Sequence, residues 1–315
     1  MLFSLALIPV VGLLFFIYFK DRKEKEPFRL LVALFFAGMG TSVTAIIAEN
    51  IGQTVLEVIF PYTPVLKALA LAIFIVAPAE ELGKFLVLRL ITWKNRHFNY
   101  SYDAIVYAVF VSLGFAALEN VGYVFSSGIV TAVVRMFTAV PGHACYAVFM
   151  GFFYSKAKDA SITGKSGKCF INILLSIIVP ILIHGVYDAI LMGANAIGED
   201  VAIVIGVVLW IVFVIVLFIV SIIIIIYSSK HDYCIVNVPE QGQTIYRPGV
   251  VGGWTCSCGT QNYFNYCARC GNHRPVNNIW HCPRCRTLST YKFCGNCGCP
   301  KPVNQYPADQ PPVMR

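Results

Sequence analysis

Two adjacent glutamates, Glu80 and Glu81, stand inside the apolar run 65–91 and are followed by Lys84. A charged side chain at the bilayer centre costs roughly 2.5–3.5 kcal/mol on insertion scales, so ionisable groups in such runs face one another or a wet cavity. Three further runs carry groups of the same kind: Glu119 with Asn120, Arg135 with His143, and His184 with Asp188. Acids, imidazoles and an amide on neighbouring helices are equipment for activating water. A carboxylate or neutral imidazole takes the proton, while a second imidazole or an amide stabilises the oxyanion of a tetrahedral intermediate. The same groups suit a zinc ion and its bound water, with the remaining glutamate as general base. Both chemistries stay open, and both serve hydrolysis of a peptide bond.

The spacing assigns roles. Glu80 and Lys84, four apart, share a helix face, and Glu81 reaches the same ammonium at three apart, so one lysine steadies two acids. Phe115 and Glu119 share a face, with Asn120 adding an amide beside the carboxylate, and Asp188 lies one turn from His184 and can orient it. Pro78, Pro141 and Pro180 stand just upstream of Glu80, His143 and His184. Each removes an intrahelical hydrogen bond, and broken backbone at membrane depth is tolerated only against protein or a water-filled cavity. With Gly83, Gly114, Gly142 and Gly185 they predict a wet, closely packed centre. A rise of about 1.5 Å per residue brings Glu80, His143 and His184 to one height and sets Glu119, Arg135 and Asp188 roughly 6–9 Å nearer the outer face. The catalytic set is then Glu80, Glu81, His143 and His184, supported by Lys84, Glu119, Asn120 and Asp188. A Glu119–Arg135 ion pair across the turn 126–128 is the structural alternative for Glu119.

The elements that must position these groups are helices in a bilayer. Mean hydropathy is +0.70, and 13% of residues are charged against about 25% in an ordinary soluble domain. The fold class is all-α and polytopic, with about seven transmembrane helices read at 2–19, 30–48, 65–91, 102–125, 129–154, 170–194 and 201–227. The stretch 49–64 is too polar and too short for another crossing and reads as an interfacial helix and loop. Basic residues crowd 20–29, 93–100 and 156–168, which makes these loops cytoplasmic, the N-terminus external and the C-terminal tail internal. The first run lacks a basic n-region and a cleavage site, so it is a retained span. The net charge of +8 sits mostly in those loops and the tail, where it meets anionic lipid. Nucleic acid is not required as a partner.

After residue 228 the composition changes. Residues 229–253 form a linker, 254–299 a double zinc ribbon and 300–315 a short tail, behind a membrane core of 1–228. Nine of the 12 cysteines lie beyond the linker, eight of them as Cys256-x-Cys258 with Cys267-x2-Cys270, then Cys282-x2-Cys285 with Cys294-x2-Cys297, and Cys299 outside the sets. Two such sets are the spacing of tandem structural zinc sites, and in a reducing compartment thiolates bind metal rather than pair. Only Ser257 separates Cys256 from Cys258, so His273 or His281 is an alternative fourth ligand there. The ribbons are too small to have a core, so zinc supplies their folding energy. Their expected role is docking of a cytoplasmic protein.

The ordered set Glu80-Glu81-x-x-Lys84, Phe115-Ala116-x-x-Glu119-Asn120, the His143 helix and His184-x-x-x-Asp188 resembles the PrsW family of intramembrane proteases over most of 28–194. That family is distantly similar to the CAAX prenyl-protease and bacteriocin-processing superfamily, whose paired glutamates and intramembrane histidine are regarded as catalytic. The resemblance implies a metallopeptidase of the membrane, acting on membrane-anchored proteins such as anti-sigma factors in regulated proteolysis. Two other classes fit the buried charges: a proton- or ion-coupled transporter, in which they form a relay, and a silent scaffold recruiting partners through the ribbons. No internal repeat joins the halves of the chain, which argues against the transporter.

Overall fold

The computed structural model describes residues 2–235 together with 254–255, 258–262, 280–281 and 288–289. The chain divides into two compact units, Met1–Asn237 and Val238–Arg315.

The first unit is helical. Helix α1 (Leu2–Lys20) stops where the charged stretch begins, and α2 (Phe28–Ile59) starts directly after Pro27. Helix α3 (Pro64–Ala70) opens on a proline, whose missing N–H costs nothing in a first turn, and passes into a π-helical turn, Leu71–Val76, and then α4 (Ala77–Thr92). Helix α5 (Asp103–Phe137) is broken at Gly128, whose φ of 81° and ψ of −166° only glycine adopts cheaply. Helices α6 (Ala139–Ile162), α7 (Ser166–Ile197) and α8 (Asp200–Lys230) follow, α7 closing on Gly198 in the left-handed conformation.

Three expectations change. Residues 49–59 are not a separate helix but the last turns of α2. The polar pair Glu49-Asn50 lies within that helix and does not mark its end. The run 129–154 is no single helix, since 129–137 continue α5 beyond the Gly128 break and α6 begins after Thr138. Only Pro141 stands in the first turn of a helix; Pro78 follows the π turn inside the unbroken helical run 64–92, and Pro180 lies inside α7.

By length and composition, α2, the α5–α6 stretch 103–162, α7 and α8 can cross a membrane, and Ala6–Lys20 is a shorter apolar helix. Large apolar side chains along α8, among them Val201, Ile205, Leu209 and Val212, stand exposed. In water such a face would be a severe liability; in lipid it is the required surface. The protein is a predominantly helical integral membrane protein.

Helix α5 is the axis of the bundle. Every residue from Asp103 to Ala117 is buried, the all-round burial of a helix surrounded by others, and α1, α2, α4 and α6 pack against it. Two glycines set its distance from α2: a Cβ on Gly38 would stand 2.0 Å from the Val111 carbonyl oxygen, and one on Gly114 2.0 Å from that of Phe35. This contact brings Ser42 and Phe115 together, and the Ser42 hydroxyl donates to the Phe115 carbonyl at 3.2 Å.

The basic stretches meet at one end of the unit. Ser229 donates to the Lys20 carbonyl at 2.6 Å, Lys158 to that of Trp93 at 2.5 Å, and Ser101 to Asp232 at 2.8 Å. Tyr100 and Cys234 form an antiparallel bridge that fastens the chain after α8 to the α4–α5 loop.

In the second unit, β1 (Trp254–Thr255) pairs antiparallel with β2 (Gln261–Asn262), and β3 (Trp280–His281) with β4 (Leu288–Ser289). Gly259 takes a φ of 83° in the first hairpin. The Cys258 thiol lies 3.3 Å from the Thr260 hydroxyl. Cys256, Cys267, Cys270, Cys282, Cys285, Cys294 and Cys297 lie outside the described residues, as does His273.

Candidate active site

Helix α4 supplies the charged centre. The Lys84 ammonium directs its three N–H bonds at Glu80 Oε2 (2.9 Å), Glu81 Oε1 (2.8 Å) and His143 Nδ1 (3.3 Å). All three of its donors are thereby used. The Phe115 ring lies 3.9 Å from the same ammonium, a cation–π contact that is strong where water is excluded.

The two glutamates differ. Both are buried, but Glu80 lines a cavity of about 590 Å³ together with Glu119, Arg135, His143, His184 and Asp188, whereas Glu81 and Lys84 lie behind its wall. Glu80 Oε2 is 3.9 Å from the Nδ1 atoms of both His143 and His184. Glu81 Oε1 meets His184 Nδ1 at 3.1 Å. One carboxylate thus faces the space a substrate would occupy, and the other braces the lysine and a histidine.

The histidines differ as well. Because Lys84 donates to Nδ1 of His143, its Nε2 carries the proton and donates to Glu119 Oε2 at 2.8 Å, which assigns a neutral tautomer. His184 has a carboxylate at each nitrogen, Glu81 at Nδ1 and Asp188 Oδ2 at 3.4 Å from Nε2. Only the imidazolium form donates at both. The two rings stand 5.5 Å apart at 86°.

The expected two tiers touch. Glu119 and Asp188 reach across from the next helical turn to hold the imidazoles, and their side-chain exposures of 20% and 22% against 5% for Glu80 mark them as nearer the cavity mouth. Glu119 also pairs with Arg135 Nη2 at 2.9 Å, so the structural ion pair and the contact with His143 coexist. Asn120 departs from its expected place beside that carboxylate. It is fully buried away from the cavity, donating to the Ala6 carbonyl at 2.9 Å and accepting from Arg135 Nε at 2.9 Å. One amide ties α1 to the arginine that holds Glu119.

Some residues of the site were missed by sequence reasoning. Tyr146 stacks on His184 with ring centroids 4.7 Å apart; its position three after His143 on one helix face was the available signal. The Ser112 hydroxyl donates to the His143 carbonyl at 2.8 Å, a bond no local pattern announces. Glu49 lines the cavity from α2.

Glu80, Glu81 and His184 each offer a ligand atom within 4.8 Å of the others. Two carboxylates and an imidazole are a donor set zinc accepts, so the residues fit the ion in type and spacing. Lys84 already takes one oxygen of each carboxylate, and a bound ion would compete with it.

Buried acids, paired cations and two differently protonated imidazoles around a cavity inside a lipid-facing bundle define an intramembrane hydrolase. Residues 26–220 match the PrsW family of intramembrane metalloproteases. The chain is 34% identical over 214 residues to Protease PrsW of Clostridioides difficile (strain 630), covering 66% of this chain and 87% of that one. It is 32% identical to Protease PrsW of Oceanobacillus iheyensis, over 61% and 84% of the two chains, and 33% identical to that of Bacillus subtilis (strain 168), over 60% and 81%. No solved structure matches. The chain belongs to the PrsW family and is an intramembrane protease.

Proposed function

We propose that Glu80 is the general base of peptide-bond hydrolysis in a membrane-anchored protein substrate. The observation that carries the reading is that Glu80, alone of the paired glutamates, opens on the cavity, level with both imidazoles. Water attacks the scissile carbonyl carbon and its proton passes to Glu80 Oε2. The oxyanion that forms is stabilised by the positive charge of the His184 imidazolium beside it, and collapse breaks the C–N bond as the proton held by Glu80 moves to the departing amine. Glu81 and Lys84 hold the base and His184 in place, while Glu119 and Arg135 fix His143. Asp188 fixes the second nitrogen of His184.

Zinc is the second reading, favoured by the convergence of Glu80, Glu81 and His184. Bound there, it would polarise a water and the substrate carbonyl. Metal analysis of the full chain and of one ending at residue 237, alongside fragment release in vesicles, separates the two readings. Zinc retained by the shorter chain, with cleavage lost on chelation, supports the metal reading; cleavage by the zinc-free shorter chain supports water activated by glutamate alone.

The wider frame is proposed on the same footing. Seven crossings with an external N-terminus agree with the basic stretches gathered at one end of the bundle. Two zinc ions in the tail agree with hairpins that bracket 256–260 and 282–287. The tail docks a cytoplasmic protein, and the substrate class is that of membrane-anchored regulators such as anti-sigma factors.

A further inference from the structure

A second set of acids is buried at the end of the bundle where α1 stops and α2 and α5 begin. Asp21 is 2% exposed, Glu26 4%, Asp103 1% and Asp232 8%. Ligand atoms of Asp21, Glu26 and Asp103 lie within 4.8 Å of one another. Buried like charges at such a distance need a counter-charge or protons. Among the described residues, every lysine or arginine ion pair lies at the Glu80 site. Lys25, close by, spends its ammonium on the carbonyls of Tyr18 and Asp21.

Existing hydrogen bonds hold one oxygen of three of these acids and, in two of them, leave the other without a donor. Asp103 Oδ2 accepts from the Asn99 and Tyr100 amides at 3.0 and 2.7 Å, Glu26 Oε2 from the Tyr107 hydroxyl at 2.5 Å, and Asp232 Oδ1 from Ser101 Oγ and the Tyr102 amide at 2.8 Å. Asp103 Oδ1 and Asp232 Oδ2 are buried with no donor among the described residues; Asp103 meets the Glu26 carboxyl, and the Asp21 carboxyl is approached by the Lys23 and Glu24 amides and the Lys25 charge. Independently of the acids, the hydroxyl of Tyr102, a side chain with no exposure, also lacks a partner. The charges acting on it are those of Asp21 and Asp232. Carboxylates oriented through one oxygen and left free at the other are built as metal ligands are, with a second layer of donors fixing the first.

We infer that Asp21, Glu26 and Asp103 bind one hard divalent cation of the calcium or magnesium class. Oxygen-only donors select such ions over zinc, which separates this site from the His-containing cluster and from the thiolates. The ion would clamp the α1–α2 loop to the first turn of α5, the helix that carries Ser112, Phe115 and Glu119.

The test uses the full chain in detergent micelles, stripped with chelator and returned to chelator-free buffer. Calcium, magnesium and manganese are titrated separately, with heat of binding and melting temperature as readouts. One ion per chain should bind and raise the melting temperature. Asp21→Asn should weaken binding by about tenfold or more, at least the loss seen for residues that merely orient ligands, and should raise the melting temperature of the cation-free protein by relieving repulsion. An asparagine keeps an acceptor for the Lys23 and Glu24 amides that approach the Asp21 carboxyl, so this variant removes charge and little else. If it does not fold, Glu26→Gln, which keeps an acceptor for Tyr107, carries the test. Glu80→Gln should leave the binding intact, since that residue belongs to the other cluster. No stoichiometric binding of any of the three ions, or equal binding by wild type and Asp21→Asn, overturns the inference; a cluster held by shared protons gives that result.

Discussion

Glu80→Gln and Glu81→Gln are the same chemical change at adjacent positions, and the structure predicts opposite balances of lost activity and lost stability. At position 80 the substituted amide keeps an oxygen where Glu80 Oε2 accepts from Lys84 at 2.9 Å, but it cannot take a proton from water in the cavity. Removing a general base costs about 10²–10⁴ in rate, so cleavage should fall by that factor with abundance and melting temperature little changed. Glu81 has no exposure and contacts both Lys84 and His184. Breaking a buried ion pair by removing one partner costs about 3–5 kcal/mol; Lys84 retains two of its three acceptors, so the lower end of that range applies. The assay is fragment release from a membrane-anchored substrate in vesicles containing matched amounts of each variant, with thermal unfolding followed in parallel. Cleavage by Glu80→Gln within about tenfold of wild type, joined to a folded and inactive Glu81→Gln, would hand the base role to Glu81 and refute the reasoning from cavity access.

Arg135→Gln and Glu119→Gln should each destabilise the protein, and the double variant should lose less than the sum. Coupling in such contacts runs at about 0.5–3 kcal/mol, read from a double-mutant cycle in melting experiments. Single cysteines placed after Lys230 should react only with reagent on the cytoplasmic side, and those at 60–63 only from outside; the reverse pattern would invert the orientation. Burial raises the Asp21 carboxyl from 3.8 to about 6 and the Glu26 carboxyl from 4.5 to about 7. With folded values above unfolded ones, the folded state holds the extra protons. Without divalent cations the contribution of these two acids to stability is therefore full below about pH 4 and is lost as pH rises through about 6 to 7, a trend that chelator-treated protein melted from about pH 4 to 8 will test in comparison with Asp21→Asn.

Much of the site was legible because its charges are anomalous in apolar runs. The Glu80–Lys84 and His184–Asp188 contacts follow from helical periodicity alone. What separates Glu80 from Glu81 is not periodic: it depends on which side of α4 meets α6 and α7 and which meets open space. Asn120 was misplaced for a similar reason, since its partner is a carbonyl 114 positions away on α1. The length of α2 was underestimated because Glu49 and Asn50 look like an end when hydropathy is averaged. A helix bordering a polar cavity can carry such residues in mid-course.

The π-helical turn Leu71–Val76 gives the sequence ahead of the glutamates an unusual sensitivity to length. A π turn holds roughly one residue more than an α turn, and each residue of an α-helix advances the chain by about 100° around the axis. Shortening this segment by one apolar residue would leave composition and hydrophobicity almost untouched. It would let the helix close regularly and turn α4 about a quarter of a revolution against α3. Gly185 of α7, whose missing Cβ would stand 3.3 Å from Ile73, packs on this turn and holds the phase. In a region where one aliphatic residue replaces another cheaply, the number of residues, more than their identity, aims the two carboxylates.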